Sequence, residues 1–290
     1  MTMSKKAVIA TSTSCLDYLD LNHENLFILR MKILINDDTF NDYTDITAEQ
    51  FYSKLNADTS LVPTSSMPSP GELLDLLEEL EKKGYEEVFI QTISSQLSGT
   101  YDVCRMAVNQ YDGSLKTHVI DSRNAAISEG WLALQTLRLI EEGKETKEIL
   151  AYQEFMRTNR KQYFMVDNLR LFVANGRLSG ASGFLGSMFK IKPILEVNNE
   201  GKIVPFLKIR TQKKALAEMV RIVIEDCQKL DDFIITYDTS DNVEGLNYLK
   251  EQMELAFPGY VYFEAPITPV IGCHTGVGTV GIAYFDLTKK

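Results

Sequence analysis

Short apolar runs alternate with stretches of helical periodicity along most of the chain, the pattern of an α/β protein with a mainly parallel sheet. Residues 7–11, 87–93 and 117–121 read as strands, and 99–110 as a helix between the last two. The clearest helix is predicted over 70–83. Ser69 is a natural N-cap, Pro70 suits the first helical position, and Glu72 falls where it closes a capping box. Leu73, Leu74, Leu76, Leu77 and Leu80 form its apolar face, and Gly84 ends it. Residues 26–43 read instead as strands around a tight turn at Asn36-Asp37-Asp38.

Two helical stretches, 125–142 and 146–161, come next, and then the pattern changes. Residues 193–197 and 202–207 flank Asn198-Asn199-Glu200-Gly201 as a β-hairpin. Helices over 212–230 and 243–256 then alternate with strands near 232–237, 260–264 and 281–286. The change places a boundary near 155–165. It predicts an N-terminal α/β domain over 1–160 with a mainly parallel sheet, and a C-terminal α/β domain over 161–290 with a mixed sheet.

Composition narrows the function classes. With 44% hydrophobic and 24% charged residues the chain is an ordinary globular one, and a net charge of -10 argues against nucleic acid as partner. No run approaches the ~20 apolar residues of a membrane span. The strand at 7–11 is preceded by no apolar signal-peptide core. Cys15, Cys104, Cys227 and Cys273 are widely spaced with no CxxC pair, which suits a reducing cytoplasm better than a disulfide framework. His23, His118 and His274 show no metal-ligand spacing, so no metal site is expected.

Four segments carry candidate chemistry. Residues 62–72 hold three prolines and the hydroxyls of Thr64, Ser65 and Ser66, and read locally as a helix-entry loop. Ser94-Ser95-Gln96-Leu97-Ser98-Gly99-Thr100 follows a strand and opens a helix, at a sheet edge where open α/β folds bind ligands and where free N–H groups favour an anion. Gly276-x-Gly278-x-x-Gly281 matches a dinucleotide fingerprint formally, but only nine residues remain after it, too few for the helix and strand that the fingerprint needs. His274, held among glycines, is the better functional candidate there. If its segment is extended, Cys273 points to the opposite face and the two cannot form a catalytic pair. Asn175-Gly176-Arg177-Leu178-Ser179-Gly180 sets an arginine on a turn, either a solvated charge or a planar donor for carboxylate or phosphate.

In sequence order these segments resemble the motifs of the DegV family, whose known members include fatty-acid-binding subunits of bacterial fatty acid kinase. Ser65-Ser66-Met67-Pro68-Ser69-Pro70-Gly71-Glu72 is similar to the family's Thr-Ser-Gln-Pro-Ser-Pro-Gly-Glu. Ser94-Ser95-Gln96-Leu97-Ser98-Gly99-Thr100-Tyr101 resembles Ser-Ser-x-x-Ser-Gly-Thr-Tyr. Asn175-Gly176-Arg177-Leu178-Ser179, Ile191-Lys192-Pro193-Ile194 and His274-Thr275-Gly276-Val277-Gly278 resemble three further motifs. Departures fall at Ser12, where the family commonly has a carboxylate, and at Ser65, Met67 and Val277.

The resemblance implies a two-domain fold with a long-chain fatty acid between the domains. Its carboxylate would be held by Ser65, Ser95 and His274, with Thr64 and Ser94 as neighbouring candidates. It further implies that Arg177 acts in phosphoryl transfer with an ATP-dependent fatty acid kinase subunit, and that lipid exchange brings the protein to a membrane surface. No cofactor other than the bound lipid is implied, and the chain is read as a carrier and not an enzyme. It has no Gly-x-x-x-x-Gly-Lys-Ser/Thr loop to hold ATP. Two rival readings remain: a serine hydrolase using Ser95 or Ser98 with His274, and an enzyme that binds phosphate or sugar phosphate at the helix start.

Overall fold

The structure, a computed structural model, describes residues 4–178 and 191–288; Ser179 and Gly180 of the arginine motif lie outside them. In chain order, β1 (Lys6–Thr11) passes through short 3₁₀ turns (Ser12–Ser14 and Leu16–Tyr18) to β2 (Leu26–Leu29), β3 (Lys32–Ile35) and β4 (Asp38–Asn41). Then come α1 (Ala48–Ala57), β5 (Thr64–Ser66), α2 (Pro70–Lys82), β6 (Glu87–Thr92), α3 (Thr100–Gln110) and β7 (Lys116–Asp121). Helices α4 (Ile127–Glu141) and α5 (Thr146–Thr158) lead into β8 (Arg160–Met165), α6 (Arg170–Ala174), β9 (Ile194–Val197) and β10 (Ile203–Leu207). The chain continues with α7 (Gln212–Cys227), β11 (Phe233–Thr239), α8 (Val243–Ala256), β12 (Tyr262–Pro266), α9 (Pro269–Thr275) and β13 (Val280–Asp286).

The first sheet has the order β2-β1-β6-β7 and is parallel throughout. Its inner strands β1 and β6 are buried on both faces, so alternate residues serve different layers. Ala7 and Ile9 pack on α2 and α3, while Val8 and Ala10 pack on α4 and α5. The Ser69–Glu72 capping box at the start of α2 forms as predicted. A second sheet of order β10-β9-β8-β13-β11-β12 is antiparallel except for the β11–β12 pair. One of its faces carries α7 and α8, and the other rests on α4 and α5 through Trp131, Leu132, Met156, Ile234 and Phe285. Helix α4 is therefore buried from both sides, which explains its lack of a polar face. A small antiparallel sheet, β4-β3-β5, is covered by α1 and α9.

Two expectations need correction here. The helix read over 146–161 ends at Thr158, and β8 follows as an inner strand. Its Arg160 and Gln162 are buried because their side chains donate to backbone carbonyls: Arg160 to those of Val197, Asn198 and Arg123, Gln162 to that of Ala125. The segment 64–66, read as loop, is a strand paired with β3.

Ser94 clasps the two halves together, its hydroxyl donating to the Gly201 carbonyl at 2.8 Å. Gly201 has φ +84°, and a Cβ there would stand 2.1 Å from the Ser94 Oγ. Gly201→Ala should therefore cost about 1–2 kcal/mol through backbone strain and the displaced serine. Denaturant unfolding checks this, and a midpoint equal to wild type would refute the clasp.

Candidate functional site

Strands β1 and β6 lie side by side, and the sheet extends from them in opposite directions, to β2 and to β7. Ligands of open α/β sheets bind in the crevice at the carboxyl ends of such a switch point. A cavity of about 60 Å³ lies there, between the two halves of the molecule. Thr13, Met31, Ser65, Ile93, Leu97 and Ser98 wall it on one side, and Phe172, Arg177, Ile203 and His274 on the other.

Pairing with β3 sets Ser65 opposite Ile33, and strand alternation turns Ser65 inward while Thr64 and Ser66 are exposed. Thr64 contributes only its carbonyl, to the Cys273 thiol. His274 is carried by α9, which corrects the expectation of an extended segment. Thr268 has extended dihedrals and Pro269 occupies the first turn, a start signal that the surrounding glycines obscured. Successive side chains on a helix diverge by about 100°, so Cys273 turns toward β5 and still does not pair with His274.

The Ser65 Oγ and His274 Nε2 lie 2.8 Å apart. His274 Nδ1 is buried and has no hydrogen-bond partner among the described residues. Burial, reinforced by the positive charge of Arg177, pushes the imidazole pKa down to about 4, so His274 is neutral at physiological pH. Arg177 reaches this cavity from the turn after α6, so it shares the site that holds Ser65 and His274.

Ser94 and Ser95 do not line the cavity. The Ser95 hydroxyl donates to Asp121 at 2.6 Å, and its backbone N–H donates to the same carboxylate, which fixes the loop after β6. That loop presents Ser98 to the cavity instead, its Oγ 2.8 Å from the Thr100 hydroxyl. Thr13, next to the Ser12 departure and not among the candidate site residues, also reaches the wall.

The arrangement is better suited to holding an anion than to activating a nucleophile. Ser95 and His274 are not brought together, and the serine that does meet His274 has an imidazole with no carboxylate behind it among the described residues and a strongly depressed basicity. The walls are mostly apolar, which favours a ligand with a hydrocarbon tail over a sugar phosphate whose hydroxyls would lose their hydrogen bonds. The glycine fingerprint runs in the wrong order, from α9 into β13, so it has no following helix to cradle a dinucleotide. Ser12, at the position where a carboxylate was missed, accepts a hydrogen bond from the Met31 N–H and approaches the buried carboxylate of Asp42. No described helix is long and apolar enough to cross a membrane.

Residues 5–287 match the family described as "Uncharacterised protein, DegV family". A DegV domain-containing protein of Staphylococcus aureus (strain N315) is 31% identical over 284 residues, 97% of either chain. Among solved structures, a fatty acid binding DegV family protein from Streptococcus agalactiae superposes with a TM-score of 0.90 at 29% identity, covering 98% of this chain and 100% of that one. DegV of Bacillus subtilis, described as a fatty acid binding protein, gives 0.86 at 30% identity, with 98% and 99% covered.

Proposed function

Since the chain belongs to the DegV family, we propose that it is a cytoplasmic carrier that binds a long-chain fatty acid between its two halves, with the carboxylate at Ser65, Ser98 and His274. The observation that carries this reading is the Ser65–His274 contact, with an Nδ1 that has no partner among the described residues, in a cavity whose walls are mostly apolar. The two solved relatives described as fatty acid binding supply the ligand class.

A tail buried from water contributes about 0.8 kcal/mol per methylene, so the hydrocarbon dominates affinity. Hydrogen bonds to a charged head group contribute roughly 1.5–3 kcal/mol each and set its position. By the usual measure, 60 Å³ holds roughly four to six water-sized groups, enough for a carboxylate and its first carbons. A full acyl chain therefore requires the apolar wall formed by Leu97, Phe172 and Ile203 to separate.

His274→Ala or Ser65→Ala should weaken palmitate binding by about 1–2 kcal/mol each, with sub-additive effects because both serve one carboxylate. Calorimetric titration measures this, and mass spectrometry of an organic extract should find fatty acid in the purified protein. Wild-type affinity in the double variant would reject the site, and a phosphorylated metabolite in the extract would favour the phosphate reading.

The finer step is that the bound carboxylate is presented to an ATP-dependent kinase, with Arg177 meeting the incoming phosphate. Motif resemblance and the place of Arg177 at the cavity support it.

A further inference from the structure

Thr13 has a second set of partners behind the cavity wall. Its Oγ1 lies 2.8 Å from Glu129 Oε2 and 2.7 Å from the Thr11 Oγ1, which in turn lies 2.6 Å from Glu129 Oε1. All three residues are buried. Three short oxygen–oxygen contacts close a ring, and each needs one proton. The two threonine hydroxyls supply two. With Glu129 ionised, one contact would press lone pairs together. With Glu129 protonated, every contact is filled.

The same count decides what Thr13 offers a ligand. If Glu129 is ionised, it takes the single Thr13 proton, and its buried negative charge faces an incoming carboxylate. If Glu129 keeps its proton, it donates to the Thr13 oxygen and Thr11 donates to the other carboxyl oxygen, so the Thr13 proton, which closes the ring onto Thr11 in the free protein, can turn to a ligand carboxylate whose charge-assisted hydrogen bond offsets the lost Thr11–Thr13 contact. We propose that Glu129 is a positioning residue which, as a protonated acid, donates through Thr13 to complete the grip on a carboxylate ligand. The inference rests on the fatty-acid reading and deepens it.

The surroundings agree. Burial, aided by the charge of Asp121, raises the Glu129 carboxyl to about 8 in spite of the two threonine contacts. Other titratable or charged groups face this region from each packed element: Cys15 from the 3₁₀ turns, Asp42 from the turn after β4, Asp238 from β11, and Arg157 of α5, which donates to the Asp121 carbonyl. At the far ends of β1, β6 and β7, Lys6 and His118 pair with Glu87, and Glu264 of β12 pairs with Lys250. Arg177 and His274 stand across the cavity. His274 is already neutral well below pH 7, so it does not titrate in the alkaline range.

The test is dodecanoate binding by the full chain between pH 7 and 9.5. In wild type the affinity should fall about tenfold per pH unit once Glu129 ionises, reaching about ten- to thirtyfold by pH 9.5. Glu129→Gln keeps a donor and an acceptor at the same place. It should bind a few-fold more weakly at pH 7, because an amide donates less strongly, and its affinity should not change with pH. Thr13→Val should likewise give a flat and weakened profile, which separates the relay from a purely structural role of Glu129. Wild-type pH dependence retained in either variant, or a flat wild-type profile, overturns the relay while leaving the fatty-acid site intact. A wild type that binds no dodecanoate at pH 7 removes the fatty-acid reading itself, and the relay with it.

Discussion

Followed by thermal unfolding, the stability of this protein should fall as the pH rises from about 6.5 to 8. Most proteins gain from carboxylates that are paired when folded, but here three acids are buried at the junction of the two halves. Asp42 and Asp238 are raised to about 7 and Glu129 to about 8, in each case chiefly by desolvation. A carboxyl whose folded value lies above its unfolded one binds more protons in the native state, so stability is lost as pH climbs from the unfolded value through the folded one. His274 works in the opposite sense, because its depressed value adds stability as pH rises from about 4 to about 6.5. Above 6.5 that contribution is complete and the acids act unopposed.

Asp238 is the simplest of the three to test. Its carboxylate lies over Gly281 on the neighbouring strand, where a Cβ would stand 2.2 Å from Oδ1, and desolvation is the sole cause of its shift. Asp238→Asn should stabilise the protein at pH 8 by about 1–3 kcal/mol, and by clearly less at pH 5, where the folded carboxyl keeps its proton. Urea unfolding at both pH values measures the difference. Equal effects at the two would mean that Asp238 is not the titrating group.

The same three acids mark the limit of what the sequence discloses. The parallel strands, the capped helix at 70 and the hairpin around Gly201 were legible because their signals are local: apolar runs, a Ser-x-x-Glu box, a turn between alternating strands. Strand β8 was not, since Arg160 and Gln162 point inward and satisfy their donors on distant carbonyls, which removes the alternation that marks a strand. Ser65, His274 and Arg177 emerge on one cavity because each belongs to a recognisable motif. Ser98 belongs to the same motif as Ser95, and only geometry chooses between them: Asp121, 26 residues from Ser95, turns that serine away, and the turn after β1 carries Thr13 into the wall. Buried acids in particular leave no trace in a pattern of polar and apolar positions, because a polar residue in sequence is read as a wet one.

The role proposed for Arg177 is on phosphate more than on the lipid. Gly176 closes α6 with φ +69°, and the Arg177 N–H donates to the Phe172 carbonyl, which fixes the turn. The Asn175 amide donates to the carbonyls of Pro63 and Cys273, tying that turn to the segments that carry Ser65 and His274. The guanidinium is exposed, so it keeps most of its hydration and adds little to carboxylate affinity, yet it is close enough to depress His274. A planar cation at that spot suits the charge that develops when phosphate is transferred to a bound carboxylate. With a cognate kinase and ATP, Arg177→Ala should bind palmitate only a few-fold more weakly. Its acyl-phosphate formation should fall by about 10²–10³, the loss typical of removing one preorganised donor from a transition state. Arg177→Lys should fall between, because it restores the charge without the planar fork. Pairing lipid titration with an acyl-phosphate assay separates the two effects. Unchanged coupled activity in Arg177→Ala would return the residue to a solvated surface charge, and acyl phosphate made by this chain alone from ATP would overturn the carrier reading.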